Sequence, residues 1–189
     1  MNARLALCGA LLAAGCGLQP EVPLPSRVTP GPPAPDLAAY KLGVGDKVRV
    51  DVFGEPDLSI DATVDPTGRI SYPLLGGVTV LRKTARETQD TLREGLSQGY
   101  LVNPDVRVTV VQYRPFYLSG QVVRPGSYPY VVGLTVEKAL ALGGGMTAVA
   151  SSRRIFVLHE GQSAEQRLRV GLDSAVLPGD TLLVEESLF

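Results

Sequence analysis

Residues 40–59 read YKLGVGDKVRVDVFGEPDLS, and the six in the middle, Lys47 to Val52, decide the fold. Val48, Val50 and Val52 alternate there with Lys47, Arg49 and Asp51. Successive side chains of a strand point to opposite faces, so the alternation predicts a strand buried on its valine side and wet on the other. A Gly45-Asp46 turn opens it.

Downstream, ATVDPTGRISYPLLGGVTV (residues 62–80) reads as a hairpin. Asp65, Pro66, Thr67 and Gly68 supply the turn, and Arg69 to Tyr72 the returning strand. Thr84 and Glu87 form a T-x-x-E capping box that opens a helix. Ala85, Thr88, Leu92 and Leu96 recur there at spacings of three and four, giving one apolar face. In NPDVRVTVVQY (residues 103–113), Val106, Val108 and Val110 alternate against Arg107 and Thr109, again as a strand. Residues 40–113 are therefore expected to form a compact α+β unit in which the Val48, Val50, Val52 face packs on Leu92 and Leu96.

A second unit follows over residues 114–189. FYLSGQVVRPGSYPY (residues 116–130) is a strand, a turn at Arg124, Pro125 and Gly126, and another strand. Thr135 caps a short helix, Val136 to Leu142, which Gly143, Gly144 and Gly145 end because glycine takes the left-handed conformation cheaply. RRIFVLHEG (residues 153–161) and VLPGDTLLVEES (residues 176–187) supply further strands. GDTLLV at Gly179 echoes GDKVRV at Gly45, so the two units share one turn chemistry.

Upstream the texture changes. Leu18 to Ala39 holds seven of the fifteen prolines. Proline fixes φ and removes an amide donor, so residues 16–39 favour extended polyproline II and read as a semi-rigid stalk. The stalk begins in LLAAGCGLQP (residues 11–20), which carries Cys16, one of two cysteines. That thiol could pair with Cys8, sit in a core or mark a processing site. Leu5 to Ala14 are apolar or small, too few to span a bilayer but enough for the h-region of a secretory signal over residues 1–15. Ala13, Ala14 and Gly15 are as small as a signal peptidase requires. The stretch resembles a bacterial lipobox, with Ala13 at the usual aliphatic position. That resemblance implies cleavage after Gly15 and lipidation of Cys16; the alternative is an ordinary secretory signal with Cys16 a bystander. Cys8 is discarded with the signal, leaving no disulfide framework.

Composition excludes several partners. The precursor carries a formal net charge of −1, and discarding Arg4 leaves 17 basic against 19 acidic side chains. With no polybasic block, neither nucleic acid nor an anionic lipid surface is an expected partner. A search for chemistry finds no active site. His159 is the only histidine and reads as a solvated strand-end residue. Ser151 and Ser152 lack a G-x-S-x-G context, and one histidine among scattered carboxylates offers no metal-ligand spacing. LGGGM (residues 142–146) follows a helix and lacks the G-K-[ST] of a phosphate loop, so it reads as a helix cap. Glu185 and Glu186 are neighbours on a strand and point to opposite faces. No catalytic residue, metal or cofactor is expected. Tyr113, Phe116 and Tyr117 fall at the boundary between the units, where packing is their expected use.

Taken together, YKLGVGDKVRVDVFGEPDLS, VDPTGRISYPLLGGVTV, NPDVRVTVVQYR and FYLSGQVVRPGSYPY…LTVEKALALGGG resemble the outer-membrane polysaccharide export family. The first three resemble its export domain and the last a soluble-ligand-binding β-grasp (SLBB) domain. The resemblance implies a lipoprotein on the periplasmic face of the outer membrane that forms a homo-oligomeric ring, an octamer being one option. The ring passes capsular or exopolysaccharide and works with an inner-membrane copolymerase. Gly17 after the lipidated cysteine, in place of aspartate, fits sorting to the outer membrane. Tyr40, Gly43, Gly45, Asp46, Gly68 and Pro73 carry the export-domain signature, and Val122, Pro125 and Gly126 the β-grasp hairpin; all are expected to be structural. Long members of the family carry a C-terminal amphipathic helix that crosses the membrane, whereas this sequence stops at Phe189. An outer-membrane β-barrel partner is therefore the expected passage. The alternative is a free-standing lipoprotein module that holds a soluble glycan or cell-wall fragment without forming a channel.

Overall fold

The computed structural model describes residues 39–187. The signal stretch, Cys16 and the proline-rich segment up to position 38 lie outside them. Strand β1 (Lys47–Val52) is the centre of a three-stranded sheet, flanked antiparallel by β2 (Ile60–Thr63) and β5 (Val106–Gln112). Val48, Val50 and Val52 are buried, while Arg49 and Asp51 are exposed. Helix α1 (Ala85–Ser97) opens on the expected capping box: Thr84 Oγ1 accepts from the Glu87 amide at 3.1 Å, and Glu87 Oε2 accepts from the Thr84 amide at 2.7 Å. Leu92 and Leu96 are fully buried in the same cluster as the three valines, with Ile70, Tyr72, Val78 and Val80 closing it.

One pairing differs from the sequence reading. The Asp65–Gly68 turn forms, but β3 (Arg69–Tyr72) pairs antiparallel with β4 (Gly76–Thr79), and β2 gives its ladder to β1. The cause lies in the turn. Asp65 Oδ1 accepts from the amides of Thr67 and Arg69 and from the Thr67 hydroxyl. A continued β2–β3 ladder would need the Arg69 amide, so the side chain ends the ladder after the one bond from the Asp65 amide to the Arg69 carbonyl.

A second core lies around a five-stranded sheet ordered β7-β6-β10-β8-β9. Its members are β6 (Phe116–Gly120), β7 (Gly126–Tyr128), β8 (Ala150–Leu158), β9 (Leu168–Arg169) and β10 (Thr181–Glu186). β10 runs parallel to β6 and antiparallel to β8. Helix α2 (Val136–Leu142) buries Val136, Ala139 and Leu140 against Phe116, Leu118, Ile155, Val157, Leu182 and Val184. It ends as expected for the triple glycine. The Gly145 amide reaches the Leu140 carbonyl at 2.8 Å and the Gly144 amide reaches Ala141 at 3.0 Å, a Schellman closure that places Gly144 at φ +82°. The architecture is α+β throughout.

Candidate functional site: the junction between the two cores

The two Gly-Asp turns meet at one place and are built alike. Gly45 and Gly179 both take left-handed φ, +90° and +87°. In the first, Asp46 Oδ2 accepts from the Gly43 amide at 2.8 Å; in the second, Asp180 Oδ2 accepts from the Leu177 amide at 2.8 Å. Each glycine amide and each aspartate carbonyl then bonds a neighbouring strand end: Gly45 and Asp46 to Val64, Gly179 to Pro115 and Asp180 to Tyr117. The short side chain closes its own turn, so the carboxylate is drawn inward. Both aspartates are buried, although almost all other charged groups among the described residues stay in water.

Buried carboxylates need partners. Asp46 has four donors: the Tyr40 hydroxyl at 2.6 Å, the Gly43 amide, the Arg114 amide at 2.7 Å and Arg114 Nη1 at 3.1 Å. Arg114 Nη1 also donates to the Tyr40 oxygen at 2.7 Å. Burial, with the Asp46 carboxylate second, pushes the Tyr40 phenol far above its usual range. From the same guanidinium, Nε lies 2.7 Å from Glu160 Oε2 without the alignment of a hydrogen bond, so the attraction there is coulombic. Arg114 thus stands between a carboxylate of the first core and one of the second. Gly43 and Gly179 exist to admit it: a Cβ on either would meet the Arg114 side chain, at 2.5 Å from Nε in the case of Gly179.

His159 corrects an expectation. It does sit at the end of β8, but it is only partly solvated: its Nδ1 lies 2.7 Å from Asp180 Oδ1, with the imidazole about a third exposed. Burial raises the Asp180 pKa, and the His159 contact opposes that rise. The contact was illegible locally because the two residues are 21 positions apart. Aromatic packing joins the cores beside the polar network. Tyr113 sits edge-on between Tyr40, at 5.0 Å, and Tyr130, at 5.5 Å. Tyr117 takes no part in it and is 45 % exposed.

Over Arg114 lies a half-open cleft of about 450 Å³, lined from the first unit by Val44 and Gly45 and from the second by Tyr117, His159, Glu160, Gln162 and Thr181. The remaining signature residues are elsewhere. The Gly68 carbonyl receives the Val80 and Leu81 amides, and Pro73 lies in the β3–β4 loop. Val122 is buried and bridges to Met146; Pro125 precedes β7 and Gly126 opens it, both exposed. Glu185 is held by Arg154 and Arg167, while Glu186 is exposed. Among the described residues no group of three His, Cys, Asp or Glu side chains gathers to hold a metal. The junction can hold two units in one orientation and present hydrogen-bonding groups to a ligand.

Comparison with known proteins agrees with this division. Residues 34–111 match the polysaccharide biosynthesis/export protein family, and residues 115–167 match the SLBB domain. The chain is 35 % identical over 178 residues to the exopolysaccharide production protein ExoF of Rhizobium meliloti, covering 86 % of this chain and 38 % of ExoF. It is 28 % identical to the EPS I polysaccharide export outer membrane protein EpsA of Ralstonia nicotianae, over 82 % of this chain and 50 % of EpsA. Its identity to the polysialic acid transport protein KpsD of Escherichia coli is 26 %, over 77 % of this chain and 28 % of KpsD. The chain spans half or less of the length of each of these relatives. With an export domain followed by an SLBB domain, joined through Asp46 and Arg114, the chain belongs to the polysaccharide export family.

Proposed function

We propose that this protein is a non-enzymatic, periplasmic component of a capsule or exopolysaccharide export machine, acting as a ring-shaped conduit or adaptor. The observation that carries the reading is the ordered pair of domains locked by one buried network. A ring built from two-domain subunits keeps its bore only if each subunit holds one shape, and the Asp46–Arg114 contact supplies that constraint. The export, production and transport names of the relatives point the same way.

The remaining parts of the proposal rest on chemistry. Lipid on Cys16 anchors the protein to the outer membrane, each buried methylene contributing about 0.8 kcal/mol. Among the described residues no helix is long and apolar enough to cross a membrane. A hydrophilic polymer needs a lined path through about 30 Å of hydrocarbon, so an outer-membrane β-barrel and an inner-membrane copolymerase complete the route. Deleting the gene tests the reading: secreted polymer should be lost, the cell should retain unexported polymer, and a plasmid copy should restore secretion. Unchanged extracellular polymer in the deletion strain overturns it.

A further inference from the structure

The cleft over Arg114 has the size and position of a ligand site, and the junction's structural role leaves its outer wall unused. We propose that it binds a neutral, disaccharide-sized stretch of glycan, weakly and reversibly. The proposal rests on the export reading for the presence of glycan and on the cleft itself for the rest.

At about 450 Å³ the cleft falls within the 300–1,000 Å³ typical of small-molecule sites, and it lies where such sites concentrate, between two units. Its lining matches what a pyranose offers. A sugar presents hydroxyls that both donate and accept, with C–H groups on the ring faces between them. His159 spends Nδ1 on Asp180, which leaves Nε2 for a hydroxyl. Glu160 is half exposed and touches Arg114 through one carboxylate oxygen, leaving the other to accept. Gln162 and Thr181 add an amide and a hydroxyl, and the exposed Tyr117 ring gives an apolar face against which sugar C–H groups pack.

Charge selects the class. Asp46, Asp180 and Glu160 surround a single permanent cation, Arg114, which two of them already hold. An anionic sugar would meet Glu160 with no free cation to receive it, so a neutral glycan is favoured. The openness of the cleft matters as well: Glu160 and Gln162 stay partly wet, so each contact exchanges with water and the ligand leaves easily. A conduit needs that, since tight binding stalls passage.

The test uses the full chain in a detergent without a sugar headgroup. His159 is the only histidine, so its imidazole resonances report on the cleft alone. Cellobiose, maltose and lactose are titrated in turn. At least one should shift those resonances saturably in the millimolar range, with affinity roughly tenfold weaker in Tyr117→Ala, the upper end of what an aromatic face contributes. Gln162→Ala should also weaken binding. Both residues are outside the ion network, so both variants should melt as the wild type does. The proposal is overturned by no saturable shift from any of the three, by an equal shift from glycerol, by unaltered affinity in Tyr117→Ala, or by tighter binding of digalacturonate. The two readings separate cleanly: lost secretion in the deletion strain without disaccharide binding removes the cleft proposal and leaves the export role standing.

Discussion

Replacing Asp46 with alanine removes the one group that four donors share. The Gly43 and Arg114 amides and the Tyr40 hydroxyl lose their acceptor inside a site with no exposure at the carboxylate, and Arg114 Nη1 loses its anionic partner and keeps only the Tyr40 oxygen. Breaking a buried ion pair by deleting one partner costs about 3–5 kcal/mol, because the surviving charge is left uncompensated. Glu160 lies on the other side of the guanidinium and still attracts it, which argues for the lower half of that range. For a chain of this size each kcal/mol moves the melting temperature by about 2–4 °C, so a fall on the order of 10 °C is expected by calorimetry. The second half of the experiment is a cycle with Arg114→Met. If the cost of Asp46→Ala is largely the orphaned guanidinium, adding Arg114→Met should recover part of it, giving a coupling of about 0.5–3 kcal/mol. A single-mutant loss under about 1 kcal/mol, or strict additivity in the cycle, would show that Asp46 and Arg114 merely lie near each other.

Three further outcomes are expected. Leu92→Ala should cost about 2–5 kcal/mol, since Leu92 is fully buried, while Lys47→Ala on the wet face of β1 should stay within about 0.5 kcal/mol; equal melting temperatures for the two would refute the packing of α1 on β1. Tyr40 ionises in the unfolded chain near 10.0 but is pushed well above that when folded, so its share of stability is complete below pH 10 and is lost as pH rises further. Denaturant melts at rising pH should therefore show a steeper alkaline decline for the wild type than for Tyr40→Phe, and parallel curves would count against the buried phenol. Cys16→Ser should abolish palmitate labelling and release the protein from the membrane fraction; undiminished labelling would reject lipidation at that thiol.

What could be read from the sequence was local. The valine alternation of β1, the capping box at Thr84 and Glu87 and the glycine stop after α2 each lie within a few residues, and each formed where expected. Pairing partners were harder, because a strand does not encode which edge it joins. Asp65 shows why: its carboxylate takes the Arg69 amide and redirects β3 to β4, a competition that alternation alone cannot reveal. The junction was legible only in part. Tyr40, Gly43, Gly45 and Asp46 were singled out, but Arg114, 68 residues from Asp46, carried no local signal. The clue that was present was the doubled Gly-Asp turn. Two short acids, each closing its own turn against an apolar strand, must be buried at their inner ends, and a buried acid requires a cation or several amides from elsewhere. Arg114 answers that requirement for Asp46, and the Leu177 amide with the His159 ring nitrogen answers it for Asp180.

The use of a polar network at this junction has a physical reason beyond strength. Apolar surfaces of similar area would hold two units together at least as firmly, since the desolvation of a buried ion pair offsets much of its attraction. They would do so in many orientations. A carboxylate that must satisfy four donors at 2.6 to 3.1 Å admits very few. The guanidinium adds a plane, and Gly43 and Gly179 set the depth to which it enters, because a side chain at either position would occupy its space. The edge-on contacts of Tyr113 with Tyr40 and Tyr130 then fill the apolar remainder without fixing an angle of their own. Orientation at this boundary is therefore set by hydrogen-bond geometry and adhesion by the aromatics. In the ring proposed above, a repeating subunit would need the first more than the second, since a small error in angle accumulates with every copy.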